Sequence, residues 1–132
     1  MFKTTATRRR ERRLYDEPTM NTSLELNPLW ARERANLEAK RGAIEEICRR
    51  YGVARLSLFG SILRADEFHS ESDVDFLVEF LPGVRHGLKF WTMELELEDL
   101  LGRDTELKTT LDLSKYFRDE VVAEAEVFYA AQ

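Results

Sequence analysis

The 132-residue chain has little of several residue types: one cysteine, two histidines, three prolines and six glycines. A single cysteine, Cys48, excludes a disulfide framework within the chain and makes a reducing compartment the simplest setting. The two histidines, His69 and His86, show no metal-ligand spacing, so a zinc-type centre is not expected and both read as solvent-exposed loop residues. No apolar run approaches the ~20 residues of a membrane-spanning helix, and the N-terminus lacks the apolar stretch of a signal peptide. The sequence therefore reads as cytoplasmic, with no membrane association. An excess of positive charge is also missing. At a net charge of −5 the chain is no coat for duplex nucleic acid, because phosphate binding is driven by lysine and arginine. An acidic protein can still hold a nucleotide through metal ions. What is present, 43% apolar residues, suffices for one modest core in one domain.

Charge is unevenly spread. Residues 1–20 hold six basic residues (Lys3, Arg8, Arg9, Arg10, Arg12, Arg13) against three acids, a surplus of three that leaves −8 for the rest. Residues 1–26 thus read as a basic, disordered tail and 27–132 as the domain. A partner-binding arm, or an extension upstream of a start at Met20, are the alternatives.

Asn27-Pro28 reads as an N-cap with proline in the first turn, and Leu37, Ile44, Ile47, Cys48 and Tyr51 recur at helical spacing as far as Gly52. One amphipathic helix is expected, with Cys48 on its core stripe. Val53–Phe59 and Val74–Phe80 read as strands, the second ended by the Pro82-Gly83 turn. Leu88–Leu101 reads as a helix stopped by Gly102, with Phe90 and Trp91 expected in the core, and residues 105–109 as a short strand. Val121, Val122, Ala125, Phe128 and Tyr129 suggest a closing amphipathic helix. The expected fold class is α+β, a small sheet backed by helices.

The chemistry concentrates in LFGSILRADEFHSESDVDFLVEF, Leu58 to Phe80. In a strand, residues i and i+2 share a face roughly 6.5 to 7 Å apart, so Asp73 and Asp75 are neighbours. Each raises the other's pKa unless a cation lies between them. Magnesium suits the pair, since it takes oxygen ligands and commonly combines one or two carboxylates with substrate phosphates. Gly60-Ser61, just past the preceding strand, allows close backbone approach, and its amides and hydroxyl can hold phosphate oxygens. The combination suits nucleotidyl transfer, in which metal ions stabilise the attacking oxygen and the pyrophosphate leaving group. A third carboxylate is wanted to complete the attacking-side metal or to orient the incoming hydroxyl. Glu106, on the third expected strand, is the candidate. Asp66, Glu67 and Glu71 read as a solvated loop.

LFGS followed by SDVDFLVEF resembles the minimal nucleotidyltransferases of the polymerase-beta-like superfamily, the MntA-type antitoxins. The Pro82-Gly83 turn, ELEDLLGR, DTELKT and RDEVVAEAEVFY follow in the family's order, so the resemblance covers about residues 42–130. It implies the nucleotidyltransferase fold, a small mixed β-sheet flanked by helices, with Mg2+ as cofactor and ATP as substrate. By position it implies Gly60, Ser61 and Arg64 as nucleotide-binding and Asp73, Asp75 and Glu106 as catalytic, metal-holding residues. It further implies an antitoxin of a type VII toxin-antitoxin system that transfers AMP to a tyrosine of a partner HEPN-domain RNase toxin, associating with it in a hetero-oligomer. Direct nucleic-acid binding is not expected. The alternatives are an antitoxin acting by binding alone, and a nucleotidyltransferase acting on a small molecule or RNA end. Two departures from the family pattern stand out. The loop from Ile62 to Ser72 is one residue longer than usual, and Glu106 stands where aspartate is usual.

Overall fold

The computed structural model describes residues 27–132; the basic tail read from the sequence lies outside the described residues. The chain opens where its cap predicts. Asn27 accepts the Trp30 N–H at 2.9 Å, and helix α1 runs Pro28–Ala39 with proline in its first turn. The single helix expected up to Tyr51 is in fact two. At Lys40 (φ −102°, ψ 13°) the backbone leaves helical geometry, and α2 restarts as Arg41–Tyr51. The apolar spacing runs through this bend because each half buries its own residues, Leu37 from α1 and Ile44, Ile47 and Cys48 from α2. Gly52 then ends α2 in the left-handed conformation that a helix C-terminus favours.

Strand β1 (Val53–Phe59) leads through a 3-10 turn, Gly60–Leu63, and a loop to β2 (Val74–Phe80). Helix α3 (Gly87–Leu101) and strand β3 (Thr105–Lys108) follow, close to expectation. The last element departs from it. Helix α4 covers only Arg118–Glu124, and Glu126–Ala130 is a strand, β4. Ala125, at ψ 140°, turns the chain out of the helix. The run Val127-Phe128-Tyr129 is β-branched and aromatic, types that fit a pleated surface. It pairs antiparallel with β1, Leu56 opposite Tyr129, and brings Phe128 into the core. Pairing along an otherwise open β1 edge outweighs the helical spacing of these residues.

The sheet order is β3-β2-β1-β4, with β2 and β3 parallel and the other pairs antiparallel. This mixed sheet with its four helices has the architecture expected. Central strands β1 and β2 supply Val53, Leu56, Leu58, Val74, Phe76 and Val78 to the core, against Ile44 and Cys48 of α2 and Met93 and Leu97 of α3. Phe68, from the loop before β2, is also buried, at 1% exposure. Trp91, expected in the core, is 57% exposed, while Phe90 is half-buried against Phe80 and His86. Among the described residues, no helix is long and apolar enough to cross a membrane.

Candidate active site

The register of three strands assembles the site. Antiparallel pairing sets Phe59 opposite Asp75, so the Gly60-Ser61 turn begins beside that carboxylate. Parallel pairing sets Asp75 opposite Glu106. Asp73 stands one residue ahead of β2, where the Val74 N–H donates to the Asp104 carbonyl at 3.0 Å and ties the start of β2 to the start of β3. The outer N–H groups of β3 are also satisfied. Leu107 donates to Glu94 at 2.8 Å and Thr105 to Glu98 at 3.2 Å, both acceptors from α3. An edge strand with filled outer donors is a firm base for Glu106.

Carboxylate oxygens of Asp73, Asp75 and Glu106 all lie within 4.8 Å of one another. Asp75 is the most perturbed. Burial, then the charges of Glu106 and Asp73, push its pKa up to about 7 against the pull of Lys108. Asp73 is raised by burial first, then by Asp104, Glu106 and Glu98, with Arg103 opposing. Glu106 is the most open, its side chain 47% exposed, and Lys108 Nζ stands 3.5 Å from its Oε2. Lys108 and Arg103 are outnumbered by the three converging carboxylates with Asp104 and Glu98 beside them, which leaves a concentration of negative charge.

Gly60 has φ +80°, a conformation glycine adopts without steric cost. A Cβ built there would fall on Asp75 Oδ2. The turn is thus pressed against the carboxylate, with Ser61 half-buried beside it. The trio fits a hard divalent cation: Mg2+–O bonds of about 2.1 Å put the ligands of one ion up to about 4 Å apart, which small carboxylate rotations from the present separation would reach. Such an ion would also relieve the repulsion that lifts Asp75.

The remaining site candidates are placed as follows. Arg64 is held by Glu124 of α4 at 2.5 Å and lies 3.9 Å from Glu67. His69, expected in solvent, is half-buried, and its Nδ1 accepts the Glu71 N–H at 3.2 Å. Glu71, read as solvated, is half-buried with Oε2 out of solvent contact. Both differ from expectation because Phe68 anchors the loop to the core. His86 is exposed, as expected, and stacks on Phe80 at 4.5 Å. Cys48 is fully buried in the core, and burial pushes its thiol up to about 12. Sequence reasoning missed Arg103, whose nearest signal was its place two residues before the third strand.

The fold and the acid-and-turn arrangement are those of a nucleotidyl-transferring domain, and the chain belongs to the nucleotidyltransferase domain family, which it matches over residues 40–128. It is 33% identical over 90 residues to the "putative protein adenylyltransferase" of Methanocaldococcus jannaschii, covering 68% of this chain and 95% of the relative. It is similar to a solved "putative minimal nucleotidyltransferase" at TM-score 0.59 and 35% identity, over 69% of this chain and 91% of the other. At the level of fold it also resembles a complex of a tri-AMPylated Shewanella oneidensis HEPN toxin with an MNT antitoxin. That match has TM-score 0.51 and 20% identity, over 76% of this chain and 74% of the other.

Proposed function

We propose that the protein is a metal-dependent adenylyltransferase of the MntA antitoxin type, moving AMP from ATP to a tyrosine of a HEPN-domain toxin. The observation that carries this reading is the convergence of Asp73, Asp75 and Glu106 within 4.8 Å, beside a glycine turn so close that any side chain there would displace the Asp75 carboxylate. The 33% identical relative is named as a protein adenylyltransferase, and fold neighbours include an MNT antitoxin in complex with an AMPylated HEPN toxin.

Asp73, Asp75 and Glu106 would hold Mg2+, which supplies charge neutralisation at the transferring and leaving phosphates. The Gly60-Ser61 amides and the Ser61 hydroxyl would fix the triphosphate so that the α-phosphorus faces an incoming hydroxyl in line with pyrophosphate. The tyrosine oxygen forms its bond to that phosphorus as the α–β bridging P–O bond breaks. The tyrosine proton passes to a carboxylate of the trio, with Glu106 the most open of the three. Arg64 would serve the nucleotide only after giving up Glu124.

The test is incubation with α-labelled ATP, Mg2+ and the cognate HEPN protein. Label is expected on a toxin tyrosine with wild type and not with Asp75→Asn; no label on a toxin shown to bind would overturn the transfer. A second reading, neutralisation by binding alone, is favoured by the exposed Leu111, Tyr116 and Phe117 between β3 and α4, 82%, 81% and 60% exposed. It requires Asp73→Asn plus Asp75→Asn to neutralise as well as wild type.

A further inference from the structure

The connection Ile62–Ser72 separates the phosphate-holding turn from the first metal carboxylate, and its ends abut Ser61 and Asp73. Strand register holds Gly60 against Asp75, whereas Ser61 and Asp73 lie outside the strands, so the connection's conformation bears on where those two side chains sit. Its own turns hold the Arg64 and His69 carbonyls, and side chains from outside hold five others. Trp30 Nε1 of α1 donates to the Ile62 carbonyl at 2.9 Å. Asn27, the cap of α1, donates its side-chain amide to the Ala65 and Phe68 carbonyls. Glu33 of α1, 8% exposed, receives Arg103 Nε at 3.1 Å, and the same guanidinium donates Nη1 to the Ser70 and Ser72 carbonyls at 3.2 and 3.0 Å while lying over the Phe68 ring. Arginine suits this place because its planar fork makes several directed bonds at once. Asn36 and Lys40 fasten the other side of α1 to the last carbonyls of α3, Leu101 and Leu100.

Helix α1 lies outside the residues matched to the family, 40–128. Packing of α1 rests on Leu37, which is 1% exposed, with Leu29 and Trp30 partly buried against the core. The polar contacts do something different: the first falls next to Ser61 and the last next to Asp73. A loop of eleven residues gains little from length alone to fix its shape, since closure entropy changes only slowly with length. Buried Ile62 and Phe68 anchor it to the core, and these donors fix the carbonyls around them.

We infer that α1 is a positioning element of the active site. Trp30 fixes the Ser61 end of the connection, Asn27 fixes its middle and Glu33 orients Arg103 to fix the Asp73 end. Together they place Ser61 and Asp73, two site residues that strand register leaves outside the strands. The inference rests on the nucleotidyltransferase site proposed above.

The test uses the full chain carrying Trp30→Phe, which keeps a large ring and deletes one donor, and Asn27→Ser, which keeps a capping oxygen and loses the amide. Mn2+ alone is titrated by electron paramagnetic resonance and Mn2+ with ATP by calorimetry, at a temperature where circular dichroism shows each variant folded. Mn2+ alone should bind within twofold of wild type, because Asp75 and Glu106 are held by the sheet. Mn2+ with ATP should bind about fivefold more weakly in each variant and tenfold or more in the double variant. Unchanged Mn2+-ATP affinity alongside a lowered melting temperature would overturn the inference, leaving α1 a packing element. Equal losses of Mn2+ alone and Mn2+-ATP would also overturn it. If wild type binds neither, the site reading itself fails, and the inference falls with it.

Discussion

Substituting Gly60 by alanine separates the cost of backbone strain from the cost to the site. At φ +80° an L-residue is held left-handed, at about 1–2 kcal/mol. For a domain near this size each kcal/mol lowers Tm by roughly 4–8 °C, so a fall of about 5–15 °C is expected. The added Cβ would also meet Asp75 Oδ2 and force that carboxylate out of the trio. Displacing a ligand costs at least as much as disturbing the groups that orient one, so Mg2+-ATP affinity should fall by about 100-fold or more. Gly83→Ala is the control. Gly83 has φ +85°, with nothing within 4 Å of its Cβ position, so it should lower Tm comparably and leave binding unchanged. Thermal unfolding and calorimetric titration of both variants read the two effects separately. Gly60→Ala binding Mg2+-ATP within twofold of wild type would refute the reasoning, as would an equal loss in Gly83→Ala.

Asp75→Asn removes one of three mutually repelling charges; the metal-free protein should melt a few degrees higher than wild type while losing Mg2+-ATP binding, both read from melting curves with and without ligand. The pH dependence has an uncommon sign for an aspartate. The folded value, about 7, lies above the ~3.9 of a free side chain, so the folded state keeps a proton that the unfolded chain releases. That stabilisation is full below about pH 4 and is lost as pH rises to about 7. Denaturant titrations without metal should therefore lose stability across this window at wild-type Asp75 and lose less in Asp75→Asn, and Mg2+ should offset the loss most near neutral pH. Cys48, fully buried with its thiol pushed up to about 12, should be inert to a thiol reagent in the folded protein and react at once in denaturant.

The parts of this molecule written in local pattern were legible in its sequence. The apolar run Val74–Phe80, closed by the Pro82-Gly83 turn, marked β2, and Gly52 and Gly102 marked the ends of α2 and α3. The Asp73–Asp75 spacing carries its own geometric meaning, because alternate residues of an extended chain share a side. Other features depend on contacts distant in sequence. Val127-Phe128-Tyr129 fits helical spacing as well as a strand, and pairing with β1 decides for the strand. The bend at Lys40 interrupts no pattern, because apolar residues are buried on both sides of it. Phe68 looks like a residue of a polar loop until it is seen packed in the core. Glu106 meets Asp75 through a parallel register that no spacing along the chain encodes. The grip of Trp30, Asn27 and Arg103 on the connection was hidden for a different reason: their partners are backbone carbonyls, which every residue carries.

The most direct test of the account is calorimetric titration of ATP with Mg2+ into wild type and into Asp73→Asn plus Asp75→Asn, with folding verified for both. The account predicts saturable binding to wild type that depends on Mg2+ and is lost in the double variant. Equal binding to both proteins, or binding by wild type that is indifferent to Mg2+, would contradict the claim that these carboxylates form a metal-nucleotide site.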